Sequence, residues 1–305
     1  MSISFYVKNK KKFLGYEPVL KVEAALSLLD RELNTYNTDG MDINDLLLSP
    51  LSNYQCLLVG AEYESARGFE LSYDNKNKVY GVRIFTPSSR KDWLLALEYI
   101  KALAKKFGTE IVNERGETYT VDNIDKFDYE PDILYGLKLI TENLKSGEAD
   151  NYTIFGVTRL VSLNQEMMDE INNSENPIDT FSKIVRDIQN LDAYSANQQF
   201  YKNNEDGRII GAYTLTENLR TILPYKPTVE FHNSDIVKND DIAFWNISFV
   251  VINGDENDPN SYQVGGQLDY NDFIKKLPKD KYEFIDASYI MVEPLSKEEI
   301  SDLLK

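Results

Sequence analysis

The stretch FELSYDNKNKVYGVRIFTPSSRKDWLLALEYIKALAKKFG, residues 69–108, decides the fold class. Phe69 to Tyr73 and Val79 to Phe85 read as strands, and Asp74-Asn75-Lys76-Asn77 supplies the polar turn that joins them into a hairpin. The pattern then changes period. After Pro87, Ser88 or Ser89 can cap a helix, and Asp92 falls in its first turn, where the helix dipole favours a carboxylate. Trp93, Leu97, Ile100, Ala104 and Phe107 recur at spacings of three and four, and Gly108 stands where a left-handed cap is needed. A hairpin feeding directly into an amphipathic helix predicts an α+β protein built mainly of antiparallel sheets with packed helices.

Working outward to the N-terminus, Ser2 to Val7 alternates serine with Ile3, Phe5 and Val7, the signature of a half-buried strand. The run Lys8, Lys10, Lys11 and Lys12 turns the chain and reads first as a solvated loop, with an anion-binding patch as the alternative. Val22 to Leu33 predicts a helix, with Val22, Ala25, Leu26 and Leu29 on one stripe. Asp42 caps a short helix through Leu48 that Pro50 ends, and Leu57 to Val59 reads as a strand.

Toward the C-terminus, a helix opens at Pro131 and is expected to bury Leu134, Leu137, Ile140 and Leu144 before Gly147. The polar stretch 145–151 suggests a boundary between an N-terminal α+β domain, residues 1–148, and a C-terminal α+β domain, residues 149–305. Beyond it the sequence predicts a strand over Thr153 to Leu160 and a short helix capped by Asn164. A second helix opens at Pro177, and a hairpin joins Gln199–Lys202 to Arg208–Thr214 through residues 203–207. Phe244–Ile252, Tyr262–Leu268 and Tyr289–Val292 read as strands, Tyr270–Leu277 as a short helix, and Ser296 with Glu299 as the capping box of a last helix. The order strand, helix, hairpin, Tyr-Thr segment occurs twice, around Tyr80-Gly81-Val82 to Ile124 and around Phe155-Gly156-Val157 to Leu219, which suggests a duplicated unit.

Charge narrows the functions. With 33 Lys+Arg against 50 Asp+Glu the net charge is −17, which repels phosphate backbones and anionic headgroups over most of the surface. Neither nucleic acid nor membrane is therefore an expected partner, and no apolar run approaches the roughly 20 residues of a spanning helix. Cys56 is the single cysteine, which excludes an intrachain disulfide and suits a reducing cytoplasm.

Catalytic signatures are scarce. The chain lacks a phosphate-gripping glycine loop and a GxSxG elbow, and no cofactor is expected; Gly265-Gly266 reads as a bulge or turn. His232 is the only histidine, so a histidine-rich zinc site is excluded by count. Cys56 sits in the apolar context Gln55-Cys56-Leu57-Leu58-Val59 and reads as an inert thiol. Oxygen ligands crowd the loop Asn253 to Asn260, which makes Asp255 and Asp258 weak candidates for a hard cation. Glu166, Asp169 and Glu170 read as solvated. Arg83 and Arg159 are placed inside apolar strands, where a guanidinium must meet a carboxylate or face a groove that receives an anion or an acidic partner; these two are the binding candidates.

Ser2-Ile3-Ser4-Phe5-Tyr6-Val7-Lys8-Asn9-Lys10, Tyr80-Gly81-Val82-Arg83-Ile84 and Gly211-Ala212-Tyr213-Thr214-Leu215 together resemble a family of uncharacterised proteins from Gram-positive bacteria, a domain of unknown function that would span the whole chain. The resemblance implies a bacterial cytoplasmic origin and carries no activity. The expectation is a non-catalytic protein-binding, adaptor or inhibitor-type protein whose acidic surface and 20 tyrosines meet a basic protein partner. The alternative is a carboxylate-dependent hydrolase, metal-assisted or not, since paired carboxylates leave no fixed spacing in sequence.

Overall fold

A computed structural model describes residues 1–38, 40–147, 149–202 and 207–305. The chain divides into two compact units, Met1–Asn190 and Leu191–Lys305. The polar stretch 145–151 lies inside the first of them, between a helix capped by Gly147 and a strand that starts at Tyr152; residue 148, the expected boundary, is outside the described residues.

The first unit runs β1 (Ser2–Lys8), α1 (Val22–Leu26), β2 (Asn34–Thr35), α2 (Ile43–Leu48), β3 (Leu57–Gly60), β4 (Phe69–Asp74), β5 (Val79–Phe85), α3 (Arg90–Phe107), β6 (Ile111–Asn113), β7 (Thr118–Tyr119), α4 (Glu130–Ser146), β8 (Tyr152–Phe155), β9 (Leu160–Leu163), α5 (Gln165–Asn173) and α6 (Pro177–Gln189). Seven strands form one antiparallel sheet in the order β2-β3-β4-β5-β1-β6-β7. Period two places Ile3, Phe5 and Val7 beside Phe69, Leu71, Tyr80, Val82 and Ile84 in the core. α3 buries Trp93, Ala96, Leu97, Ile100, Leu103 and Phe107, and rings interlock across the interface: Phe69 with Tyr99 at 5.1 Å and Tyr80 stacked on Phe107 at 4.8 Å. Ser89 and Asp92 form the capping box of α3, and Gly108 closes it at φ 64.

Three local readings change. The helix expected over Val22–Leu33 stops at Leu26, although Leu29 and Leu33 remain buried; the leucine spacing records burial, which turns satisfy here. In α4 the buried stripe runs through Ile133, Leu137, Ile140 and Leu144, and Leu134 stands 47% exposed on the flank. The strand expected over Thr153–Leu160 is two strands, β8 and β9, because the Gln189 side chain organises the turn between them. Its Oε1 accepts from the backbone of Thr158 and Arg159 at 2.9 Å, and its Nε2 donates to the Arg159 carbonyl at 3.1 Å. Gly156 fits against that amide because a Cβ there would lie 2.3 Å from it.

The second unit runs β10 (Tyr194–Ser195), β11 (Gln199–Lys202), β12 (Ile209–Thr216), β13 (Thr221–Pro224), β14 (Ile242–Ile252), β15 (Tyr262–Asp269), α7 (Tyr270–Lys276), β16 (Tyr282–Phe284), β17 (Tyr289–Val292) and α8 (Lys297–Leu303). Two four-stranded sheets, β10-β13-β17-β16 and β11-β12-β14-β15, share one core with α7 and α8, formed by Tyr213, Leu223, Phe249, Tyr270, Phe273, Ile290, Val292 and Ile300 among others. β12 and β14 are parallel, with β13 in the crossover between them, and the remaining pairs of their sheet are antiparallel. Both units are thus α+β with mostly antiparallel sheets. The β11–β12 hairpin forms as expected, and the middle of its loop, 203–206, lies outside the described residues.

The segments matched as a repeat share an order of elements and differ in topology. Tyr80-Gly81-Val82 lies in the middle of the seven-stranded sheet, whereas Phe155-Gly156-Val157 ends a two-stranded ribbon. The second set also spans the division at Asn190, so its helix and its hairpin belong to different units.

Candidate functional site

Arg83 lies in β5, exposed, with its guanidinium 2.6 Å from Glu70 on the neighbouring strand and its Nε donating to Ser2 Oγ at 2.8 Å. Arg159 is in the β8–β9 turn rather than a strand, half-buried, and burial lowers its pKa. The deeply buried guanidinium is a different one. Arg67 is 6% exposed, stacks over Phe85 at 4.8 Å, and donates to the carbonyls of Phe155 and Pro87. Burial pulls its pKa down to about 10 against the opposing pull of Asp92. Asp92 itself is fully buried and accepts from the backbone N–H groups of Ala66, Arg67 and Gly68 at 2.9 to 3.1 Å, which ties the β3–β4 loop to the start of α3. This cluster positions backbone. Cys56 is half-buried, and burial, then Glu70, raises its thiol pKa and holds it protonated.

In the second unit β15 is the terminal strand of its sheet and pairs only with β14 among the described residues. Tyr262, Gln263, Val264 and Gly265 are all exposed, so this strand meets solvent on both faces; Val264 is 72% exposed. The pairing slips between Phe249 and Val250, opposite Gly266 and Val264, so Gly265 is the extra residue of a bulge, as Gly265-Gly266 suggested. The sequence Tyr-Gln-Val-Gly-Gly-Gln-Leu-Asp contains neither lysine nor proline, the residues that usually protect a sheet edge. An outer strand of this length presents unpaired backbone groups to any extended segment laid beside it.

The acidic loop leads into that strand. Asp255 Oδ1 accepts from the backbone and side-chain nitrogens of Asn257, and Asp258 Oδ1 from those of Asn260, at 2.8 to 3.0 Å. The Asn257 N–H holds the Asp255 carboxyl below its ordinary pKa. Both carboxylates thus shape turns and stand exposed at one end of β15. Among the described residues no group of three His, Cys, Asp or Glu side chains is arranged to hold a metal ion.

A second cluster surrounds Glu230. Its Oε1 accepts from Tyr289 at 3.3 Å and Tyr213 at 3.5 Å, while His232 Nδ1 lies 3.5 Å from Oε2. Gln198 braces the group, donating to Tyr213 Oη at 2.6 Å and accepting from the Glu230 N–H at 3.0 Å. Burial raises the Glu230 pKa, and His232 and the two hydroxyls pull it back. The pKa of Tyr213 is raised, first by its burial and then by Glu230. The arrangement is a carboxyl group held between two tyrosine hydroxyls and an imidazole.

A family model described as Domain of unknown function (DUF4299) matches residues 2–303. The chain belongs to this family. Searches of curated proteins and of solved structures find no match. The DUF4299 match takes in the exposed strand, the acidic loop and the Glu230 cluster alike. Sequence reading finds β15 as a strand, but nothing in a period-two pattern distinguishes a terminal strand from an inner one. It singles out His232 but not the cluster around Glu230, because Tyr289 is 59 residues away from Glu230 and reaches it only through the fold. Arg67 lacks any apolar strand context that would flag it.

Proposed function

We propose that this DUF4299 protein is a non-catalytic protein-binding module that takes an extended, basic segment of a partner along the outer edge of β15. The observation that carries the reading is the exposure of Tyr262 to Gly265 at a sheet terminus unprotected by lysine or proline. Strand addition draws affinity from main-chain hydrogen bonds and specificity from alternate side chains. Asp255, Glu256 and Asp258 beside the strand, within a chain of net charge −17, supply the complement to a basic segment and speed its encounter. The test combines partner capture with substitution. Val264→Lys plants a cation on the edge without touching the core, and it should reduce capture of the partner by about tenfold or more. Asp255→Asn with Asp258→Asn should weaken only the salt-sensitive part. A partner held equally well by wild type and V264K removes this reading.

The Glu230 cluster supports a second reading, a carboxylate-dependent hydrolase. A carboxyl with a raised pKa beside tyrosine hydroxyls and the only histidine is equipped for general acid–base work. Turnover of a small ester or glycoside that disappears in Glu230→Gln would favour it over the binding role; a flat response in a panel of such substrates would remove it. For either role we place the protein in the cytoplasm of a Gram-positive bacterium, on the resemblance of its Ser2–Lys10, Tyr80–Ile84 and Gly211–Leu215 segments and on its single cysteine. No helix is long and apolar enough to cross a membrane, among the described residues.

A further inference from the structure

Residues 10–17 form a small hairpin that stands on the end of the first unit's sheet. Lys11 bridges Tyr16, Lys12 donates to the Gly15 carbonyl at 2.9 Å, and Glu17 donates to the Lys10 carbonyl at 2.9 Å, with Gly15 at φ 92 closing the turn. Its base is fixed by the buried Asn9, whose amide donates to Glu17 O at 2.8 Å and to Tyr73 Oη at 3.0 Å. At the tip Phe13 is 100% exposed and Leu14 87% exposed. Two large apolar side chains held out on this turn bury almost no surface in the fold, so core packing does not account for them.

Cations collect at this end of the sheet. Lys10, Lys11 and Lys12 are exposed on the hairpin. Lys76 and Lys78 lie on the β4–β5 turn, which Asn9 joins through a 2.8 Å bond to the Lys78 carbonyl. Lys105 and Lys106 occupy the last turn of α3, whose Phe107 stacks on Tyr80, and Thr109 donates to the Lys8 carbonyl at 3.0 Å. The carboxylates on these same segments are Glu17, which pairs with Lys12 at 2.9 Å, Asp74 and Glu110. In a chain of net charge −17 this end of the sheet is locally basic.

We infer that this hairpin docks the protein on an anionic lipid surface, Phe13 and Leu14 entering the headgroup region while the surrounding lysines meet lipid phosphates. The two signals needed for stable peripheral attachment, an apolar insert and a polybasic collar, occur together here. A single strand of nucleic acid fits less well, since Phe13 is followed by an aliphatic side chain and neither offers a hydrogen bond to a base edge. The sequence-based expectation of no membrane partner rests on average charge, and the charge is segregated.

The full chain should co-sediment with vesicles of equal parts phosphatidylcholine and phosphatidylglycerol at low ionic strength, and not with phosphatidylcholine alone. Phe13→Ser combined with Leu14→Ser should lower the binding about tenfold at unchanged melting temperature, because both side chains are outside the core. Lys10→Gln, Lys11→Gln and Lys12→Gln together should weaken its salt dependence, with Lys76, Lys78, Lys105 and Lys106 still in place. Absence of binding to the anionic vesicles overturns the inference, as does binding that the Phe13 and Leu14 substitutions leave intact, or binding of a single-stranded oligonucleotide in place of the vesicles.

Discussion

Arg83 and Glu70 are direct partners in the β4–β5 register, and the guanidinium meets the carboxylate at 2.6 Å. With the bond from Arg83 Nε to Ser2 Oγ, the pair links β4, β5 and β1 across the exposed face of the sheet. An arginine among apolar strand residues is here the polar half of the alternation, with its opposite charge placed across the strand pair. Its worth is that of a solvent-exposed pair: Arg83→Ala should lower unfolding free energy in urea by about 1 kcal/mol or less. It should leave partner capture unchanged.

Asp92 is far more consequential. It is fully buried and satisfies three consecutive backbone N–H groups beside the buried Arg67. Asp92→Ala strands those donors and the guanidinium together, and should cost about 3 to 5 kcal/mol in chemical denaturation. Asp92→Asn keeps one acceptor and should fall between the two.

Asp132, in the first turn of α4, accepts from Thr86 Oγ1 at 2.9 Å, and burial raises its pKa from 3.8 to about 6. The folded state therefore holds this proton more tightly than the unfolded chain does. The resulting stabilisation is complete below the unfolded pKa and is lost as the pH rises through about 6. Asp132→Asn carries no charge at any pH, so its melting temperature should rise above that of wild type between about pH 4 and pH 7. With partial solvent screening the gain at neutral pH should be about 1 kcal/mol, vanishing in acid.

Gly211 in β12 lies under the Trp245 indole, where a Cβ would come within 2.3 Å of the ring. Gly211→Ala should force that indole off Tyr213, on which it stacks at 5.7 Å, and destabilise the protein by about 1 to 3 kcal/mol in thermal unfolding.

Local chemistry made most elements legible. Asp42, Ser89, Asn164 and Ser296 each cap the helix their spacing predicted, and Gly108 and Gly147 end theirs in the left-handed region. What failed depends on contacts distant in sequence. The break between β8 and β9 is imposed by Gln189, 30 residues from Arg159, and the division at Asn190 follows from which strands share a sheet. The candidate site was legible in fragments: the acidic loop and the strand after it were visible, but that β15 has no neighbour beyond it among the described residues is a property of the assembled sheet.

Hydrogen exchange at the β15 amides tests the binding account most directly. The chain is mixed with an extended peptide of alternating lysine and valine, and separately with its glutamate counterpart. The account predicts slowed exchange across Tyr262 to Gln267 with the basic peptide, none with the acidic one, and loss of the effect in Val264→Lys. Unchanged exchange along β15 with both peptides, or equal protection in the V264K protein, would contradict it.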